Sequence, residues 1–298
     1  MSAMLELLER AALGDSTILL TGESGTGKDV LTRQIHRWSP RMLGPFVVIN
    51  CTTLAEHLLE DELFGHVRGS FTGAINDKPG RLEAGNGGTV LFDEIAELPV
   101  SLQMKLLRFI QDRCLERIGS NRMLKVDVRV VVASNRNLEA EVAAGRFRED
   151  LYYRLNVITF MLPPLRERSQ DILPFAGWIL KRMSVDTGRR ELRLSPEAAT
   201  ALISYGWPGN VRELHNALKR AADLARTETI TPDDLPDSVS HRASASCAPT
   251  TRGTRLKDFE REQILRALAS SPTLGHAAAA LGINVTTLWR KRRHYGIG

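Results

Sequence analysis

The chain has little of what would place it outside the cytosol or across a membrane. Its 298 residues hold three cysteines, Cys51, Cys114 and Cys247. They are odd in number and widely spaced, with no metal-ligand spacing, which excludes a disulfide scaffold and a zinc motif and fits a reducing compartment. Apolar runs are only a handful of residues long, as in Val130-Val131-Val132-Ala133. A membrane helix needs about 20, so none is expected. The start, with Ser2, Glu6, Glu9 and Arg10, is not a basic segment followed by an apolar one, so no secretory leader is read there. Hydrophobic residues at 43% and charged residues at 25% are ordinary for a globular protein and exclude disorder throughout. The length allows two domains, or one larger domain with an appendage.

Charge is unevenly placed. Residues 251–298 carry nine basic and three acidic side chains, a balance of +6, whereas the whole chain is +5. The basicity therefore belongs to the last 48 residues. Such asymmetry points to one end that meets a polyanion.

Residues 18–20, 46–49, 89–92, 128–133 and 157–160 are short, rich in Val, Ile or Phe, and bounded by Gly, Pro or Asn. They read as buried strands. Helical patterns such as 29–37 and 101–112 alternate with them, which implies an α/β fold with a mostly parallel sheet. After Pro163-Pro164 the pattern becomes helical, over 171–183, 195–205, 210–226 and 232–235, with no strands between. The organisation expected is an α/β nucleotide-binding subdomain over 1–168, a helical subdomain over 169–238, a linker over 239–254 and an all-α domain over 255–298.

Gly22-Glu23-Ser24-Gly25-Thr26-Gly27-Lys28 follows a strand and precedes a helix. This is the phosphate-loop pattern in the context it requires, with glycines that let backbone N–H groups wrap phosphates and a lysine that reaches them. Asp29 stands where the generic motif has Ser or Thr as a Mg²⁺ ligand. Thr89-Val90-Leu91-Phe92-Asp93-Glu94 is an apolar strand ending in two carboxylates. Asp93 suits Mg²⁺. Glu94 suits polarisation of the attacking water, so the site reads as a hydrolase rather than a nucleotide clamp. Asn135, after another strand, could orient water or sense the γ-phosphate, and Asn50 is placed to hydrogen-bond Glu94. Either is also ordinary turn chemistry.

At the other end, residues 277–281, Gly282-Ile283 and 285–295 read as helix, turn, helix, with Asn284 as N-cap. Thr286, Thr287, Arg290, Lys291 and Arg293 are candidate DNA contacts, while Leu288 and Trp289 are available for packing. His276 and His294 have no ligand partner at metal spacing.

With these residues in view, the chain resembles the sigma-54-dependent transcriptional activators, bacterial enhancer-binding proteins of the nitrogen-regulation type. The resemblance covers residues 2–236 as an AAA+ ATPase domain with a helical lid, and 256–297 as a Fis-type helix-turn-helix. Its most specific element is Gly69-Ser70-Phe71-Thr72-Gly73-Ala74, similar to the family's sigma-contacting loop, with Ser70 in place of Ala. The residues alone favour a glycine-bounded turn with its Phe buried. The resemblance implies a finger that enters the sigma factor. An acid at Asp29 also fits the family. Phe147-Arg148-Glu149-Asp150-Leu151-Tyr152-Tyr153-Arg154 resembles the arginine-finger segment, so Arg148 and Arg154 are implied to act on a neighbouring subunit's nucleotide. Surface pairing with Glu149 and Asp150 is their plainer reading. Trp207-Pro208-Gly209-Asn210-Val211-Arg212 resembles the second sensor motif, with Arg212 on the nucleotide of its own subunit.

The resemblance implies ATP and Mg²⁺ as cofactors, sigma-54 RNA polymerase and enhancer DNA as partners, a hexameric ring with DNA-binding dimers, and a cytoplasmic location. Almost nothing precedes the phosphate loop, so the expectation is a fragment or a protein controlled in trans. The main expectation is an ATP-hydrolysing activator that remodels the closed promoter complex. A second is a DNA-binding repressor or architectural protein that keeps the fold for ligand-dependent assembly; Phe71, Thr72 and Gly73 argue against it, and Ser70 leaves it open. A remodelling ATPase of unrelated targets would account for the motor but not for the basic tail.

Overall fold

Five parallel strands lie side by side in the order Phe46–Asn50, Thr89–Asp93, Arg129–Ser134, Ile18–Thr21, Ile158–Met161. The computed structural model describes residues 2–52, 55–187, 192–225, 227–244, 264–268, 271 and 273–295. Each strand falls within a residue or so of its apolar run; the three inner strands are buried on both faces and so need apolar residues at nearly every position. Alternate side chains serve opposite faces. Leu19, Val90, Phe92, Val130 and Val132 pack with helices Glu56–Phe64, Val100–Asp112 and Glu149–Leu155. Ile18, Leu20, Leu91, Val131 and Ala133 pack with helices Ser2–Ala12 and Lys28–Trp38.

Because the strands are parallel, their C-terminal ends share one edge. That edge collects Gly22, Asn50, Asp93, Glu94 and Asn135, the place where ligands bind in such sheets.

The helical lid consists of Ile172–Thr187, Pro196–Ser204, Asn210–Leu224 and two 3₁₀ turns, Leu165–Asp171 and Pro232–Asp234. Ser195 caps its helix as expected, its hydroxyl accepting from Ala198 N at 3.1 Å. Trp207 is fully buried at the centre, and its indole N–H donates to Leu202 O. Two readings need correction. The lid is not free of strands: Arg193–Leu194 pairs in parallel with Thr229–Ile230, a pairing too short to show as a periodic pattern. Nor is all of 239–254 a linker. Residues 239–244 belong to the helix Asp237–Ser244, anchored because Val239 is buried in the lid core. Residues 245–254 lie outside those described.

The chain divides into two compact units, Met1–Ala243 and Ser244–Gly298. In the second, helices Leu274–Ala280 and Val285–Tyr295 pack through Ala277, Ala278 and Leu288. Among the described residues no helix is long and apolar enough to cross a membrane.

Arg129 shows how the first helix is held. It is fully buried, and its guanidinium donates to Ala11 O at 2.8 Å and to Ala12 O. These carbonyls end the helix Ser2–Ala12, where orphan acceptors and the helix dipole both favour a cation. Burial pulls the Arg129 pKa below its usual value, yet the carbonyls keep the charge solvated. Arg129→Ala removes a charged donor and leaves Ala12 O without a described partner, Ala11 O keeping only the Gly14 N–H, and should cost about 3 kcal/mol. Urea unfolding of the variant against the parent chain measures it.

Candidate nucleotide site and its lid

The phosphate loop leaves the Ile18–Thr21 strand and enters the helix at Lys28. Gly22, Gly25 and Gly27 have φ of 146°, 78° and 101°, conformations open to glycine at little cost. Lys28 is buried, and its ammonium donates to Gly22 O at 2.9 Å and Glu23 O at 3.1 Å. No carboxylate lies within ion-pair distance of it among the described residues, and desolvation holds its pKa below the usual value, with Glu94 and Asp93 opposing that shift. A desolvated ammonium with only carbonyl partners is a fit for a phosphate oxygen.

Glu94 begins a left-handed turn at φ 53°, which swings its side chain off the strand line. Burial raises its pKa above the ordinary carboxylate value, opposed by the Asn135 N–H, which donates to Oε2 at 3.0 Å. Glu94 thus meets Asn135 through the backbone. The expected Asn50 contact is not formed. Asn50 lies opposite Asp93, but its Oδ1 accepts from Thr52 N (2.9 Å) and Thr52 Oγ1 (2.6 Å). A side-chain turn two residues long closes at little entropic cost and fixes the Asn50 amide through its Oδ1, and the Nδ2 donor that Glu94 could accept from makes no described bond to it.

The described residues contain no cluster of three or more His, Cys, Asp or Glu that could hold a metal. Asp93 and Asp29 both act electrostatically on Lys28, so they flank the loop. One or two carboxylates beside a phosphate site fit Mg²⁺, which keeps waters and takes phosphate oxygens as its other ligands.

The lid reaches this loop through Arg212 and through three residues to which the sequence assigned no role, Arg166, Arg168 and Asn210. Arg212 Nη1 donates to Ser24 Oγ at 2.9 Å, a contact with the phosphate loop of its own chain. Arg166 grips Glu23 with two bonds of 2.9 and 2.6 Å. Asn210, fully buried at φ 52°, donates to Glu23 Oε2 (3.1 Å) and Ser24 O (3.0 Å), and accepts from Leu165 N (2.7 Å). Arg168 Nη2 donates to Thr26 O at 2.9 Å. The fit is close: a Cβ on Gly25 would stand 2.3 Å from Gly209 O. The asparagine in Trp207-Pro208-Gly209-Asn210 was the available signal, a polar residue at the start of an amphipathic helix.

Arg148 pairs with Asp150 at 3.1 and 2.7 Å, and Arg154 is exposed on the same helix. Neither reaches the nucleotide loop of its own chain in any described contact, and the plainer surface-pair reading of Arg148 describes this state.

The Gly69-to-Ala74 loop is a closed turn. Gly69 N donates to Ala74 O at 2.8 Å and Ala74 N to Phe71 O at 3.1 Å, with positive φ at Gly69 and Gly73. Phe71 is neither buried nor free: it is 46% exposed, and its ring meets His66 edge-on at 5.0 Å. Thr72 is exposed. Ser70 Oγ is buried without a hydrogen-bond partner, and the Ser70 side chain approaches Gly119 so closely that a Cβ there would lie 2.5 Å away.

In the second unit, Gly282 turns at φ 64° and Asn284 Oδ1 accepts from Thr286 N at 3.3 Å, the expected cap. Thr286, Thr287, Arg290 and Arg293 are exposed and Lys291 half-buried. Leu288 packs as expected. Trp289 does not: it is 55% exposed, with the Arg293 guanidinium 5.6 Å from its ring centre.

Comparison with known proteins agrees with this geometry. Residues 1–161 match the sigma-54 interaction domain, 166–251 the AAA+ ATPase lid domain, and 255–295 the bacterial regulatory protein, Fis family. The chain belongs to the sigma-54 activator family. It is 49% identical over 298 residues to the alginate biosynthesis transcriptional regulatory protein AlgB of Pseudomonas aeruginosa, covering 100% of this chain and 66% of that protein. It is 53% identical over 232 residues to the response regulator protein FleR of the same species, covering 78% and 49%. The crystal structure of NtrX from Brucella abortus in complex with ATP superposes with a TM-score of 0.74 at 33% identity, covering 100% and 68%. This sigma-54 activator chain therefore spans just under two thirds of AlgB. It combines a parallel-sheet AAA+ domain, its lid and a Fis-type helix-turn-helix.

Glu23 supplies a pH test of the lid contact. Its pKa is pulled down to about 2, first by the Arg166 hydrogen bonds and then by Asn210. A depressed carboxylate contributes stability that is complete above its ordinary 4.5 and is lost as pH falls towards 2. The side chains of Arg166 and Glu23 are 47% and 42% exposed, so solvent keeps the ion-pair share below about 1 kcal/mol. Glu23→Gln should flatten the fall in urea stability between those two pH values. An unchanged slope would mean the carboxylate is unperturbed.

Proposed function

We propose that the chain is an ATP-hydrolysing transcription activator that binds upstream DNA and remodels sigma-54 RNA polymerase through the 69–74 loop. One observation carries this reading: Lys28, Glu94 and the lid's Arg212 converge on one phosphate loop at the sheet edge. NtrX, a relative of the same architecture, is described with ATP bound.

The polyphosphate lies on the loop, with Lys28 and Arg212 balancing its charge. Asp93, with Asp29 beside it, would hold Mg²⁺, which when bound neutralises charge on the phosphate oxygens. Glu94 accepts a proton from the attacking water. Its raised pKa makes it a stronger base than an ordinary carboxylate, and Asn135 N–H fixes one of its oxygens. Arg148 and Arg154 act on the nucleotide of an adjacent subunit, which requires Arg148 to leave Asp150. A hexameric ring places them there. Hydrolysis shifts the Phe71–Thr72 tip against the sigma factor, and Thr286, Thr287, Arg290, Lys291 and Arg293 hold the chain to DNA, the first two near bases and the basic three near phosphates.

Glu94→Gln should bind ATP while its turnover falls at least about a hundredfold, the usual contribution of a positioned base. Turnover at the parent rate would remove Glu94 from that role. In the parent chain, hydrolysis should decline as pH drops through the raised Glu94 pKa, since the base must be deprotonated. Thr72→Ala should keep ATPase activity and lose activation in a purified sigma-54 transcription assay. Full activation by that variant would count against the loop.

A further inference from the structure

Three consecutive carbonyls of the phosphate loop are held from the lid side. Ser24 O accepts from Asn210 Nδ2 at 3.0 Å. Gly25 O accepts from the Val211 and Arg212 backbone amides at 2.9 and 3.3 Å. Thr26 O accepts from Arg168 Nη2 at 2.9 Å. A trans peptide plane carries its N–H opposite the C=O. Turning these carbonyls to the lid therefore turns the N–H groups of Gly25, Thr26 and Gly27 the other way. None of those three donates to a protein acceptor among the described residues. Successive unpaired N–H groups on one concave side form an anion cradle, and a buried N–H without a partner is costly unless a ligand meets it.

The lid residues are built for this task. Asn210 is fully buried, its Oδ1 is taken by Leu165 N, and its remaining N–H binds Glu23, so its amide is committed at both ends. Its φ of 52° is one that asparagine tolerates better than most residues. Arg168 is 4% exposed, and its guanidinium lies 5.7 Å from the Phe175 ring centre, which fixes its direction. Neither needs to touch a nucleotide.

We propose that Asn210 and Arg168 are positioning residues for the nucleoside polyphosphate, acting through the Ser24 and Thr26 carbonyls to aim the loop's N–H groups at the phosphates. The inference rests on the reading of this loop as the ATP site. It makes phosphate affinity a property of the lid as well as of the loop.

The test is equilibrium binding of fluorescently labelled ADP and ATP to the full chain, with steady-state KM and kcat, on folded variants checked by circular dichroism. Asn210→Asp keeps the acceptor for Leu165 N but loses the donors. It should raise Kd for both nucleotides and KM by about tenfold, as expected for one lost buried hydrogen bond with a charged partner nearby. Arg168→Met should do the same, whereas Arg168→Lys, which keeps a donor for Thr26 O, should stay within about threefold. A purely structural role would instead lower the melting temperature of the Lys and Met variants alike without separating their affinities. The proposal is overturned if Arg168→Met and Arg168→Lys bind equally well, or if folded Asn210→Asp keeps the parent Kd. Should Asn210→Asp fail to fold, the Arg168 pair decides. If the parent chain binds neither nucleotide, it is the ATP-site reading that falls.

Discussion

The contact between the phosphate loop and the first turn of the Asn210–Leu224 helix is the constraint on which the site depends. Gly25 and Gly209 approach so closely that no side chain fits at Gly25. That approach lets backbone amides of the helix start reach Gly25 O, and it puts Arg212 within reach of Ser24. The lid thus takes part in the nucleotide site directly. A change at the phosphates would reach the lid through the peptides of the phosphate loop, whose carbonyls the lid holds.

The energetics of this junction rest on buried groups more than on its visible ion pair. Arg166 and Glu23 are both substantially exposed, and an exposed pair contributes little. Asn210, in contrast, is fully buried and joins three segments, so losing it leaves Leu165 N and Ser24 O without partners. Arg129 repeats the pattern elsewhere: a buried donor that closes backbone carbonyls far away in sequence.

Much of the fold was legible because burial on both faces leaves a plain mark. The run at Val130 to Ala133 has to be apolar throughout, since alternate residues enter different cores. Glycines with positive φ, such as Gly22 and Gly282, likewise marked turns that the chain does make. The helix Ser2–Ala12 was passed over although Met4, Leu5, Leu8 and Ala12 carry a helical period, because Glu6, Glu9 and Arg10 dominate its composition. The candidate site was legible where its residues lie on a local motif, as at Lys28 and Glu94. It was not legible where it depends on partners far apart in sequence. Asn210 meets Glu23 across 187 positions, and no local pattern encodes that meeting. Asn50 misled for the opposite reason: its strand-end position suggested Glu94, while its side chain is turned to the nearby Thr52.

In the proposed mechanism the state of the phosphate site decides whether the loop tip formed by Phe71 and Thr72 engages the sigma factor. The most direct measurement is co-elution of the purified chain with purified sigma-54, with and without an ADP–metal-fluoride mimic of the transition state. The account predicts binding only with the mimic, and loss of that binding in Thr72→Ala. Stable binding without nucleotide, or no binding with the mimic in a chain that hydrolyses ATP, would contradict it.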